Sequence, residues 1–140
     1  MGVTEETILD TGPLVAFLRS NEEHHEWAVE RFKELKPNFL TCEAVVTETL
    51  FLLGNFSAAI EKLDLLMAQG WIKTPFHFAL QRPAVMELMR TYYNVPISFA
   101  DACLVRMSEV FIDAPIFTLD KDFRIYRKNA RQRIPTIMPE

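Results

Sequence analysis

Apolar and polar positions fall in blocks along this chain, and the period of the blocks changes from one to the next. Thr7–Leu9 is a short apolar run that stops on a carboxylate, Asp10, and Thr11-Gly12-Pro13 turns the chain at once into a second apolar run. A run that short, closed by a turn, predicts a buried strand. Pro13 suits the first turn of the helix that follows, where a missing N–H costs nothing. His24–Leu35 predicts a more polar helix. Asn38–Cys42 reads as a strand, and Thr41 stands where it would cap a helix over Glu43–Leu53, ended by Gly54-Asn55. Ser57–Gln69 is another helix, stopped by Gly70, and Trp71–Pro75 a third strand. His77–Asn94 has helical spacing at Val85, Leu88, Met89 and Tyr92, with Pro83 either in the first turn or at a kink. Phe99–Val110 is a helix, Pro115–Asp120 a strand and Ile134–Pro139 a last short strand.

Strands that alternate with helices argue for an α/β domain with a parallel sheet and helices on both faces. Ligands of such sheets sit outside the carboxyl ends of the strands. Asp10 ends a strand on that edge, and Asp120, closing "PIFTLD", does the same. Asp122 follows in the next turn.

Two further acids join them. Asp101 lies three residues after Ser98, a Ser-x-x-Asp variant of the capping box. That spacing alone accounts for it as a helix-start residue, and a site role is the second reading. Glu48 falls on one helical face with Ala44, Val45 and Leu52. In a helix so apolar the expectation is burial, and a buried carboxylate needs a partner or a metal; a solvated edge or an ion pair is the other reading. All four acids can converge on one edge of the sheet. Like charges a few Å apart repel by about 4 kcal/mol per pair at an effective dielectric near 20, so the cluster calls for a cation. Ligands that are all oxygen, with no His or Cys, favour Mg²⁺ or Mn²⁺ over zinc. Such a site suits phosphodiester cleavage.

Composition narrows the field. One domain spanning residues 1–140 is expected from the length, with 49% hydrophobic residues to build a core. The net charge of −4 excludes a polycation, so nucleic acid would be met through a local patch or through metal ions. No apolar run is long enough to span a membrane, and the acidic start MGVTEETILD carries no secretion signal. Cys42 and Cys103, both in apolar surroundings, read as free buried thiols in a reducing compartment, hence a cytoplasmic protein. Lys121, Arg124, Arg127, Lys128, Arg131 and Arg133 crowd the segment "KDFRIYRKNARQR". This is either a phosphate-tracking strip, with Tyr126 available for stacking, or a solvated helix and loop. His24, His25 and His77 have no Ser or Cys partner in view, which argues against a nucleophilic triad. The apolar runs exceed the needs of one small core, and a homodimer face is expected.

The motifs "ILDTGPLVAFL", "EAVVTETLFLL", "ISFADACLVRM" and "IFTLDKDF" resemble, in order and spacing, those of PIN-domain ribonucleases, particularly the VapC-like toxins of toxin–antitoxin pairs. The resemblance spans nearly the whole chain, Thr7 to Ile137. It implies a three-layer α/β/α sandwich with a central parallel sheet of four or five strands. It also implies Mg²⁺- or Mn²⁺-dependent hydrolysis of RNA, a cognate antitoxin protein as partner and a homodimer. Asp10, Glu48, Asp101 and Asp120 match the family's acidic quartet, Asp120 being preferred to Asp122 because it ends the strand. On this basis Asp10 and Asp101 hold the principal metal, Asp120 completes or bridges it, and Glu48 holds a second metal or orients water. Asp122 would cap the next helix or act through water. Thr11 and Thr118 match hydroxyl positions near the site, and Lys121 and Arg124 are the nearest candidate RNA contacts. A non-catalytic PIN-fold binder and a stand-alone RNA-processing nuclease are the alternatives. A haloacid-dehalogenase-type phosphotransferase would need an Asp where Gly12 stands, and a receiver domain an Asp at the end of "WIKTP".

Overall fold

The structure, a computed structural model, describes residues 5–35 and 38–140. The first four residues of the acidic start lie outside the described residues. Strand β1 (Thr7–Leu9) is followed by α1 (Thr11–Leu18), α2 (His25–Leu35), β2 (Phe39–Leu40), α3 (Glu43–Leu53) and α4 (Ser57–Ala68). Then come β3 (Ile72–Lys73), α5 (Phe78–Thr91), α6 (Phe99–Val110), β4 (Ile116–Phe117) and a 3₁₀ helix (Lys121–Arg124). A hairpin of β5 (Arg127–Lys128) and β6 (Gln132–Arg133) leads into β7 (Thr136–Ile137).

Five strands form one sheet in the order β3-β2-β1-β4-β7, with every pair parallel. The period-two alternation of the strands sorts the core into two halves. Ile8, Leu40 and Ile116 face one way, onto Leu104 and Met107 of α6 and Val85 of α5. Leu9, Phe39 and Phe117 face the other, onto Leu14 and Leu18 of α1, Phe32 of α2 and Leu63 and Leu66 of α4. Helices therefore cover both faces in a three-layer α/β/α sandwich. Strands buried on both faces lose their polar alternation, which is why "TIL" and "IF" are apolar or nearly so throughout.

Several elements differ from their sequence reading. Thr41 does not cap α3. Its hydroxyl donates to the Leu9 carbonyl at 2.7 Å, tying β2 to the end of β1, and the N-cap is Cys42, which makes no side-chain capping bond. Pro83 lies inside α5 beyond its first turn. The basic segment is not a helix and loop: after the 3₁₀ helix it makes the β5–β6 hairpin, whose turn holds Asn129 and Ala130 at φ 50° and 67°. Strand β1 has the predicted bounds, but the later strands are shorter than predicted, and β4 already stops at Phe117.

Lys128 is likewise removed from any surface strip. It is 6% exposed, and its Nζ donates to the carbonyls of Ser108 (3.2 Å) and Ile112 (2.9 Å) at the end of α6. A cation there satisfies carbonyls that the helix leaves unpaired and sits at the negative end of its dipole. Lys128→Met keeps much of the stem but strands both acceptors. Thermal or urea unfolding is expected to show a loss of about 1–3 kcal/mol.

Candidate active site at the carboxyl edge of the sheet

The parallel strands bring their carboxyl ends to one edge, and a pocket of about 500 Å³ opens there. Asp10, Glu48, Asp101, Asp120 and Asp122 all line it. The four predicted acids and the reserve fifth thus meet in one place, carried by β1, α3, α6 and the segment after β4.

Asp10 lies between β1 and α1 and is 6% exposed. Its Oδ1 accepts from the Thr11 N–H at 2.7 Å, capping α1, and its Oδ2 accepts from the Thr118 hydroxyl at 2.6 Å. Burial pushes its carboxyl up to about 6, against the pull of those two hydrogen bonds, and the charges of Asp120 and Glu48 add to the rise. The turn can close tightly because Gly12 has no side chain: a Cβ there would sit 3.2 Å from Leu119.

Asp101 stands in the first turn of α6, where its N–H donates to the Ser98 hydroxyl oxygen at 3.0 Å. The capping reading is therefore right for the backbone. The carboxylate itself is engaged elsewhere, its Oδ2 accepting from the Tyr126 hydroxyl at 3.3 Å. Burial raises its carboxyl to about 7, reinforced by Asp10 and Asp120 and opposed by the hydrogen bonds of Tyr126 and Ser98. Both shifts have the cause expected of acids crowded out of water beside like charges.

Asp120 does not end a strand. It is the N-cap of the 3₁₀ helix, its Oδ1 accepting from the Asp122 N–H at 2.9 Å. The capping role foreseen for Asp122 thus belongs to Asp120. The Asp120 N–H donates to the Thr118 hydroxyl oxygen at 2.9 Å. Thr118, fully buried, hence links Asp10 and Asp120.

Glu48 is exposed rather than buried. The buried line of α3 runs through Val45, Thr49 and Leu53, and Leu50 (41%), Phe51 (82%) and Leu52 (51%) are open to solvent. The apolar pattern predicts a buried helix, but α3 is buried along one line and Glu48 stands on the solvated edge that was the alternative reading. Glu48 still reaches the site, because the Thr11 hydroxyl donates to its Oε1 at 3.0 Å. Both expected hydroxyls, Thr11 and Thr118, hold carboxylates of the pocket. Lys121 and Arg124 are exposed on the 3₁₀ helix and are not among the lining residues.

Tyr126 offers no stacking surface, since it is fully buried. Arg127 spends its guanidinium on the carbonyls of Arg124, Ile125 and Tyr126, so the basic strip reduces to Lys121, Arg124, Arg131 and Arg133. What the sequence reading missed is the pairing of Tyr126 with Asp101, 25 residues apart, for which no local pattern exists. Cys42 and Cys103 are free and buried, as expected. No histidine lines the pocket.

Among the described residues, no three His, Cys, Asp or Glu side chains are grouped closely enough to hold a metal ion between them. The pocket is a gathering of carboxylates, not a closed cage. That arrangement fits Mg²⁺ or Mn²⁺ better than a structural ion, because Mg²⁺ keeps several waters and is held by one or two carboxylates plus substrate oxygens.

A parallel α/β sandwich with acids pooled at its carboxyl edge defines a class of domain suited to acting on phosphate esters. The chain belongs to the PIN domain family, whose profile matches residues 7–129. PIN domains are generally nucleases and typically use divalent metals. No curated protein matches the chain. Among the described residues no helix is long and apolar enough to cross a membrane.

Proposed function

We propose that this protein is a Mg²⁺- or Mn²⁺-dependent endoribonuclease, acting in the cytoplasm as the toxin of a toxin–antitoxin pair. The observation that carries the reading is the pocket itself, where Asp10, Glu48, Asp101, Asp120 and Asp122 line one space at the carboxyl edge of the sheet. Acids gathered in that way gain most from a hard cation. Asp10 and Asp101 would hold the principal ion, and Asp120 would complete its shell through an intervening water. Glu48, the most open of the four, orients the attacking water or holds a second ion, and Asp122 reaches the same space through water. Bound there, a divalent ion supplies charge for the phosphoryl and leaving oxygens and lowers the pKa of the attacking water. Thr118 and Thr11 keep Asp10 and Glu48 aimed at the pocket. The exposed Lys121 and Arg124 beside it suit phosphate contacts that position RNA without reading its sequence.

Partners follow from the same surface. The bare Leu50, Phe51 and Leu52 on α3 support a homodimer or a partner helix, since apolar side chains so exposed mark interaction sites. A cognate antitoxin would lay an apolar helix on the protein and present a basic residue to the acidic pocket.

The test is cleavage of RNA by the purified protein with Mg²⁺, Mn²⁺ or EDTA. Products with 5′-phosphate ends are expected with either ion and none in EDTA. Undiminished cleavage in EDTA, or RNA binding with no cleavage at any ion concentration, overturns the nuclease reading. Expression with and without the neighbouring reading frame tests the toxin: growth arrest is expected alone and relief with the partner.

A further inference from the structure

We propose that Tyr126 is a positioning residue for Asp101, its buried hydroxyl setting the orientation of the carboxylate that faces the pocket. The inference rests on the metal-dependent reading above and concerns a residue that lies outside the acidic quartet.

Tyr126 has no freedom to serve another purpose. Its ring is fully buried and is met edge-on by Tyr92 at 5.2 Å and by Phe123 at 5.3 Å between centroids. Its backbone N–H donates to the Asp122 carbonyl at 3.1 Å, which anchors it to the turn that carries Asp120 and Asp122. The next residue is anchored too, the Arg127 N–H donating to the Tyr92 hydroxyl oxygen at 2.9 Å. With ring and backbone held, only the hydroxyl torsion is left to adjust. A hydroxyl so deep requires an acceptor, and the Asp101 Oδ2 stands 3.3 Å away.

The bond joins two parts of the pocket, at the opposite end of α6 from the Lys128 link. Asp101 rides on α6, whereas Asp120 and Asp122 belong to the segment after β4. Tyr126 grows from that segment and grips the α6 acid. One oxygen of Asp101 is thereby committed, and the carboxylate is presented in one orientation instead of several. Groups that support a metal-binding side chain in this way typically change metal affinity by about 10–100-fold.

Tyr126→Phe keeps the ring and removes only the hydroxyl. Mn²⁺ is titrated into the full chain by calorimetry or by electron paramagnetic resonance of the free ion, alongside thermal unfolding in EDTA. The expected result is Mn²⁺ affinity weaker by about 10-fold or more, with the metal-free unfolding temperature close to wild type. A purely structural role would instead lower the unfolding temperature. In an Asp101→Asn background, where Mn²⁺ is left with the other acids, the same substitution is expected to weaken binding no further, because the carboxylate that Tyr126 positions is gone. Affinity within twofold of wild type for Tyr126→Phe, or an equal loss in both backgrounds, overturns the proposal. Failure of the wild-type protein to take up Mn²⁺ is a different result: it overturns the metal reading, and this inference falls with it.

Discussion

Asp10→Asn and Asp101→Asn are each expected to lower RNA cleavage by at least about 100-fold while leaving the fold intact. Residues that merely support a metal ligand are worth about 10–100-fold, so a ligand of the principal ion stands at or above the top of that range. The amide keeps one accepting oxygen at each position, and at position 10 the Thr118 hydroxyl loses its acceptor. At position 10 its oxygen can still accept from the Thr11 N–H, and at position 101 from the Tyr126 hydroxyl, so neither helix start is lost. Cleavage rates at saturating Mn²⁺, with circular dichroism as the control for folding, decide the matter. Wild-type rates for Asp101→Asn would remove that residue from the site.

The same substitution is expected to raise the stability of the metal-free protein, and to do so increasingly as the pH rises from about 4 to about 7. Burial first, then Asp10 and Asp120, lift the folded-state value of Asp101 from 3.8 to about 7. Between those values the folded protein holds a proton that the unfolded chain has released. The contribution of Asp101 is therefore full below about pH 4 and is lost as the pH rises through about 7. Asn carries no such charge. In EDTA, the stability of Asp101→Asn minus that of wild type should be near zero at pH 4, grow on the way to pH 7 and level off above it. The plateau is expected at about 1–2 kcal/mol, allowing for solvent on the open side of the carboxylate. Saturating Mn²⁺ should reverse the order, since an ion at 100 times its Kd adds about 2.7 kcal/mol to the protein that binds it. Urea unfolding across the pH range, with and without Mn²⁺, checks both halves. A flat difference with pH would mean that Asp101 is not desolvated as described.

These two effects show which parts of the molecule its sequence displays. The alternation of elements, the parallel sheet and the gathering of Asp10, Glu48, Asp101 and Asp120 are legible, because each depends on a local period or on the strand-end rule for open sheets. The depth of α3 is not. Its pattern looks apolar all round, but only Val45, Thr49 and Leu53 are buried, and Phe51 is left 82% exposed. Periodicity reports that a residue is apolar, not whether this chain covers it. The hydroxyl partners are equally hidden. Thr41 sits at the right place for a cap, and the neighbouring strand claims its hydroxyl instead. Tyr126 sits among cations and belongs to an acid on α6. Such pairings are decided by tertiary contact, on which adjacent residues carry no information.

Thr118 has a consequence for any attempt to apportion the work of the pocket among its members. One buried hydroxyl gives its proton to Asp10 and its lone pair to the backbone of Asp120. Removing the Asp10 carboxylate frees that proton to swing, and the grip on the neighbouring turn loosens with it. Single-site losses at Asp10 and Asp120 therefore share a common part, and adding them would count it twice.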